Sequence, residues 1–293
     1  MARTYPFVWL DVFARTPLEG NQLAVFPDAR GLSDAEMQAI ARETHLSETT
    51  FVFPEGDSSD LEHGFATRIF AVFGEMPFAG HPTLGTANVL SQRTGSPEVS
   101  LRLKVGRIPV QFTVRDGLRF GEMVQNEPEF GRTHDLTAVA KALDVERDVI
   151  DPTVPIQTVS TGVPFVIVPF RTLDSLSRAK PSWPAMEEYL RASDARFFYL
   201  LAPEAGDPTA QVRARMIFSG GEDPATGSAA GPAIAWMVRH GRAKPEQSVV
   251  IEQGVEVFRK SLIHTRAALW DGRPTRVRVG GYCVPVIDGV LTL

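Results

Sequence analysis

Two stretches of the chain set glycine, proline and a few polar side chains at the head of an apolar, small-residue run. "GGEDPATGSAAGPAIAWMVRHG" extends from Gly220 to Gly241, and "GEMPFAGHPTLGTANVL" from Gly74 to Leu90. A helix start offers unpaired backbone N–H groups and the positive end of the helix dipole. Glycine there lets a ligand approach the backbone closely, so each stretch suits a carboxylate or a developing enolate-like anion. Neither stretch is a nucleotide loop, because no G-K-[ST] follows and no G-x-G-x-x-G can be read. "TGSAAG" has Thr226 where a hydrolase elbow needs its first glycine. The six histidines are scattered, with no H-E-x-x-H, and no metal site is expected.

The two stretches are also related to each other. Without a gap, Arg68 falls on Arg215, Gly74 on Gly221, Glu75 on Glu222, Pro77 on Pro224 and Gly80 on Gly227. Five identities in the fourteen positions from Arg68, with glycine and proline aligned, indicate a duplicated structural unit. Either loop alone reads as a capped strand–helix connection, with Asp223 a turn former before proline and Ser228 a cap. His81 in one copy and Ser228 in the other points beyond packing, to a site.

The elements that must carry these loops follow from pattern. "YPFVWLDVF", "NQLAVF", "ETTFVFP" and "FATRIFAVF" read as strands, and "EGDSSDLEHG" as an acidic loop. "LSDAEMQAIARETHL" is an amphipathic helix with Ser33 as cap and Glu36 completing a capping box. "EVSLRLKVGRIPVQFTVRDGLRFGEMV" gives several short strands joined by glycine turns. The pattern then restarts near Asn126: a helix in "HDLTAVAKALDV" capped by Asp135, strands in "STGVPFVIVPF", "ARFFYLLAP" and "QVRARMIFSGG", and a helix from Ser228. The small residues of "GTANVL" and "SAAGPAIAW" suit helices threaded through a tight interior.

With 293 residues, 43% hydrophobic and 22% charged, the chain is of ordinary globular composition. A net charge of −5 argues against nucleic acid as a partner. No apolar stretch approaches a membrane span, and Asp11 interrupts an N-terminal run too short for a signal peptide. Cys283 is the only cysteine, which allows no internal disulfide and fits a cytoplasmic protein.

"FGEMPFAGHPTLGTA", "GEDPATGSAAGP", "LSETTFV", "GNQLAVF" and "EQGVEVFRKS" together resemble the PhzF-like family of the diaminopimelate epimerase superfamily. The resemblance spans nearly the whole chain. It implies an α+β fold of two similar domains, each a mixed β-sheet barrel wrapped around a central helix, with the active site in the cleft between them. The domains would be 1–124 and 125–279, with the C-terminal strand 280–293 returning to the first. Epimerases of the superfamily carry a cysteine just before each helix-start glycine. Here those positions are Ala79 and Thr226, so a two-thiol mechanism is excluded.

By the same resemblance Glu48 is the acid–base, with His81, Asp223 and Ser228 around it and Asn21, Ser47, Gly80 and Gly227 binding substrate. Moving a proton along an unsaturated carboxylate needs one group that removes it and returns it elsewhere, and a carboxylate can do both. Gln22 stands where the family usually has proline. The expectation is a homodimeric, cofactor-independent isomerase acting on a small anionic, unsaturated or cyclic amino- or hydroxy-carboxylate. Its rivals are an epimerase or dehydratase using the same glutamate, and a non-catalytic small-anion binding protein. If this reading holds, turnover survives chelators and thiol-blocking reagents, and Cys283→Ala keeps near-normal activity; a chelator-sensitive rate would mean the histidines bind metal.

Overall fold

The computed structural model describes residues 2–56 and 59–293. The chain divides into two compact units, one of residues 1–124 with 280–293 and one of residues 125–279. In the first, chain order is β1 (Thr4–Val12), β2 (Asn21–Phe26), α1 (Asp34–Thr44), β3 (Glu48–Phe53) and α2 (Ser59–His63). It continues with β4 (Phe65–Ala71), β5 (Gly74–Met76), α3 (Gly80–Thr94), β6 (Glu98–Leu103), β7 (Gly106–Arg115) and β8 (Leu118–Val124). The second unit begins with β9 (Glu129–Thr133), α4 (Leu136–Leu143), β10 (Gln157–Ser160), β11 (Pro164–Pro169), α5 (Leu173–Arg178) and α6 (Trp183–Arg191). There follow β12 (Phe197–Ala202), β13 (Val212–Arg215), β14 (Ile217–Phe218), β15 (Gly221–Glu222) and α7 (Gly227–Arg239). Last come β16 (Val249–Gln253), β17 (Ser261–Trp270) and β18 (Arg273–Thr292), which from Gly280 belongs to the first unit.

In the first unit the sheet runs β1-β2-β3-β4-β6-β7-β8-β18, and β18 pairs again with β1, so the sheet closes on itself. Closure around a helix demands small residues, and α3 supplies them. Every residue from Gly80 to Ser91 is buried. A Cβ on Gly85 would lie 2.6 Å from Leu23 Cδ2 and 2.8 Å from Val12 Cγ2, which explains the glycine in mid-helix. At the barrel wall, a Cβ on Gly280 would meet the Gly121 carbonyl at 2.4 Å. Outside the barrel, α1 lays Met37, Ile40 and Ala41 on a cluster with Phe26, Phe51 and Phe70.

In the second unit the strand order is β18-β17-β16-β13-β12-β11-β10-β9. Here α7 is the inner helix, packed on β17, β10 and β11 and buried from Ala229 to Val238. A second cluster joins α4, α5 and α6 to β11 and β12 through Leu143, Val166, Leu176, Met186 and Phe198.

The capping box at Ser33 and Glu36 and the Asp135 cap are present as expected. Other details differ. Residues Asp57 and Ser58 of the expected acidic loop lie outside the described residues, but Ser59–His63 is a short helix. Its Asp60 is buried and accepts from the amides of Glu55 and Gly56, a local side-chain bond that periodicity does not reveal. "STGVPFVIVPF" is not one strand, because Gly162 at φ +139° turns β10 into β11. Two helices, α5 and α6, occupy a stretch to which the pattern gave no element; Thr172 caps the first by accepting from Ser175 N–H, and proline stands at the start of the second.

The sequence duplication has a physical counterpart. Arg68 Nε and Nη2 donate to Glu75 Oε1 and Oε2 at 2.8 and 2.9 Å, and Arg215 makes the same two-pronged bond to Glu222 at 2.9 and 2.7 Å. The hairpins match in register, with Phe70↔Glu75 and Ala71↔Gly74 in one and Ile217↔Glu222 and Phe218↔Gly221 in the other. The forks differ in depth. The Arg215 and Glu222 side chains are 8% and 9% exposed, against 28% and 15% for Arg68 and Glu75. Lys104 also reaches Glu75, at 2.6 Å. Arg215→Met therefore leaves a buried carboxylate uncompensated and is expected to lower stability by about 3 kcal/mol. Arg68→Met leaves Lys104 in place and is expected to cost about 1 kcal/mol. Urea unfolding of the two variants checks the order; equal losses would contradict it.

Candidate active site

Glu48 opens β3, directly after α1 ends at His45, whose φ of +53° turns the chain through the left-handed region. Parallel pairing sets Glu48 against Leu23 of β2. His81 is the second residue of α3. The two meet within the first unit: His81 Nε2 lies 3.3 Å from Glu48 Oε2, with side-chain exposures of 6% and 16%. His81 also has a backbone hydrogen bond with Gln22, and burial pushes its pKa down to about 3. The ring is neutral. A backbone bond that favours the charged ring is one donated to a carbonyl. Nε2 has no aligned hydrogen-bond partner among the described residues, so the donor is Nδ1, and Nε2 is the ring nitrogen that stands near the carboxyl group of Glu48.

Gln22 sits in regular strand pairing, opposite Asp11, one residue after the buried Asn21 that starts β2. Its backbone, not its side chain, serves His81, and a proline would present the same carbonyl. Ser47, just before Glu48, is exposed. Gly80 is buried as the first residue of α3, with Ala79 as an N-cap that makes no side-chain cap bond. Thr83 N–H makes the first intrahelical bond, to the Ala79 carbonyl at 3.2 Å. The amides of Gly80 and His81 precede that bond.

In the second unit the arrangement is analogous but differently supported. Gly227 opens α7, Thr226 is the N-cap without a side-chain cap bond, and the first intrahelical bonds come from Ala229 and Ala230 N–H to the Thr226 carbonyl. Ser228, half-buried, is thus a first-turn residue and not the cap. Its own carbonyl lacks a helical donor, because the residue four positions on is Pro232. Gln125 Nε2 donates to the Gly227 carbonyl at 2.9 Å, which pins the helix start from behind. Asp223 follows β15, its N–H donating to the Met216 carbonyl at 2.9 Å. Thr226 Oγ1 donates to Asp223 Oδ2 at 2.7 Å.

Sequence reasoning singled out the polar residues of both loops but gave no role to Thr226, Gln253 or Tyr199. Gln253 lies in "EQGVEVF", so a signal was available, but its target is remote in sequence. Among the described residues no group of three His, Cys, Asp or Glu side chains could hold a metal ion. No described helix is long and apolar enough to cross a membrane. Cys283 lies on β18, where burial pushes its thiol pKa up and keeps it protonated.

A family model described as phenazine biosynthesis-like protein matches residues 10–289. A trans-2,3-dihydro-3-hydroxyanthranilate isomerase of Pseudomonas fluorescens is 36% identical, over 98% of this chain and 99% of its own length. Among solved structures, a PhzF-family phenazine biosynthesis protein of Bacillus anthracis matches with TM-score 0.88 at 26% identity, covering 99% of this chain and all of that one. A predicted epimerase of Pseudomonas aeruginosa matches with TM-score 0.84 at 35% identity, covering 98% of this chain and 99% of that one.

The buried neutral His81 has a consequence for stability. Above about pH 6.5 the imidazole is neutral in both folded and unfolded chains and contributes no pH dependence. Below it the unfolded chain takes up a proton that the folded one refuses until about pH 3, so stability falls as pH falls. His134 and His240, also shifted down by burial, act in the same direction. Carboxylates such as Glu75, held at about 2, enter only at lower pH. Between pH 6.5 and 5, His81→Gln is expected to remove up to about 1.4 kcal/mol per pH unit from the slope of unfolding free energy. An unchanged slope in denaturant titrations would mean that His81 titrates normally.

Proposed function

The chain belongs to the phenazine biosynthesis-like protein family and is an isomerase, and we propose that it moves a proton within a small cyclic, unsaturated amino- or hydroxy-carboxylate, using Glu48 as the single acid–base. The compound in the names of its relatives, trans-2,3-dihydro-3-hydroxyanthranilate, is the substrate of first choice. Substrate and product are isomers, so no electrons are exchanged and one group that takes a proton and returns it completes the reaction. No cofactor is required by that balance.

The observation that carries the proposal is the 3.3 Å approach of Glu48 to a neutral, buried histidine. As a carboxylate, Glu48 removes a carbon-bound proton. As a carboxylic acid it stands 3.3 Å from Nε2 of His81, a neutral nitrogen that can accept a hydrogen bond once the two groups align. Burial holds the imidazole's pKa down to about 3, which disfavours its taking that proton. The proton therefore stays on Glu48 and returns to another carbon of the same conjugated system. Burial of His81 thus favours return over loss to solvent.

In this reading the amides of Gly80 and His81 at the start of α3 are donors for the substrate carboxylate, and those of Gly227 and Ser228 at the start of α7 are donors of the same kind. Asn21 and the Ser228 hydroxyl add polar contacts, as does Ser47. Asp223 accepts from the substrate's amino or hydroxyl group.

Turnover of trans-2,3-dihydro-3-hydroxyanthranilate in deuterated water is expected to place deuterium on a ring carbon of the product. Glu48→Gln preserves shape but accepts no proton, and its kcat is expected to fall at least about a hundredfold. Its affinity, measured by calorimetry, is expected to stay near that of the unmodified chain. Normal turnover by Glu48→Gln would remove the assignment.

A further inference from the structure

Asp223 is held by a buried hydrogen-bond relay whose members no chemistry has yet required. Gln253 is wholly buried at the end of β16. Its Nε2 donates to the Asp223 carbonyl at 2.7 Å and to Thr226 Oγ1 at 2.8 Å. Its Oε1 accepts from Thr226 N–H at 3.1 Å and from the Tyr199 hydroxyl at 3.0 Å. Both amide hydrogens and both oxygen lone pairs are used, so the amide has one orientation; the flipped one would set N–H against N–H at Thr226.

That orientation dictates the rest. Thr226 has one hydroxyl proton. Because Oγ1 receives a bond from Gln253, its own proton is directed to Asp223 Oδ2, 2.7 Å away. A hydroxyl donor selects an acceptor, and a hydrogen bond to the charged form favours that form. Resting on the role given above to Asp223, we infer that Thr226 and Gln253 are positioning residues that hold the Asp223 carboxylate as an oriented, ionised acceptor for the substrate's amino or hydroxyl hydrogen.

Two further observations support this. Burial, and then the negative charge of Asp223, push the Tyr199 phenol well above its ordinary pKa, so it stays protonated and keeps donating to Gln253. The first unit has no counterpart, since Ala79 stands where Thr226 does and carries no hydroxyl. The relay thus belongs to one copy of the duplicated loop, the copy that carries an aspartate at that point. Glu222, next in sequence, is paired with Arg215, and Glu256 with Arg213 at 2.8 Å.

The test reads the Asp223 carboxyl directly, by carbon-13 NMR titration of the full chain, alongside turnover of trans-2,3-dihydro-3-hydroxyanthranilate. Thr226→Val replaces the hydroxyl by a methyl group of similar size. It is expected to raise the Asp223 midpoint by about one pH unit, the scale of one charge-assisted hydrogen bond, and to lower kcat/KM about tenfold. Thr226→Ser, which keeps the hydroxyl, is expected to restore both. Thr226→Ala carries the same expectation and serves if the valine variant does not fold. An Asp223 midpoint that does not move in the valine or alanine variant overturns the inference. A midpoint that moves in a protein inactive on this compound supports the relay and overturns the substrate reading instead.

Discussion

The two-pronged bond between arginine and glutamate seven residues apart is the constraint on which both loops depend. In each unit it locks the strand that leads out of the sheet to the short hairpin that follows. The next residues, a proline and then a glycine, deliver the first turn of the inner helix. Without the fork, a short hairpin would hold the loop by backbone bonds alone, too few to fix it. Arg215 goes further and donates to the carbonyls of Leu176 and Ala179, tying the hairpin to the end of α5. The charges are costly to bury singly and rigid when paired. That combination suits a loop whose function is to keep backbone amides in place.

From the same loop design the two units build different polar equipment. The first unit places a buried histidine, its pKa lowered by solvent exclusion, 3.3 Å from a glutamate. The second gives an aspartate a hydroxyl donor whose direction is set by a saturated glutamine amide. Both rest on burial, which weakens the basicity of an isolated imidazole and strengthens each hydrogen bond in a connected relay. Family membership is carried by the whole chain, whereas chemistry resides in local environments such as these two.

Much of this was legible in the chain itself. Glycine and proline at matched spacing, with arginine and glutamate beside them, disclosed the duplication, because such residues are constrained locally by turn geometry and by pairs seven positions apart. The Ser33 and Asp135 caps were legible for the same reason. The motifs "LSETTFV" and "FAGHPTLG" marked Glu48 and His81 as residues of interest, but only by resemblance. The sequence could not bring them together, since they lie on different elements and meet only when β3 and α3 share one barrel. Nor could it show that His81 is neutral, since that follows from solvent exclusion. Gln253 acquires meaning only when β16 lies beside the turn at Asp223, far away in the chain. Local geometry is written in neighbouring residues; charge state and hydrogen-bond direction depend on what burial removes and what distant strands bring near, and only the tertiary structure decides those.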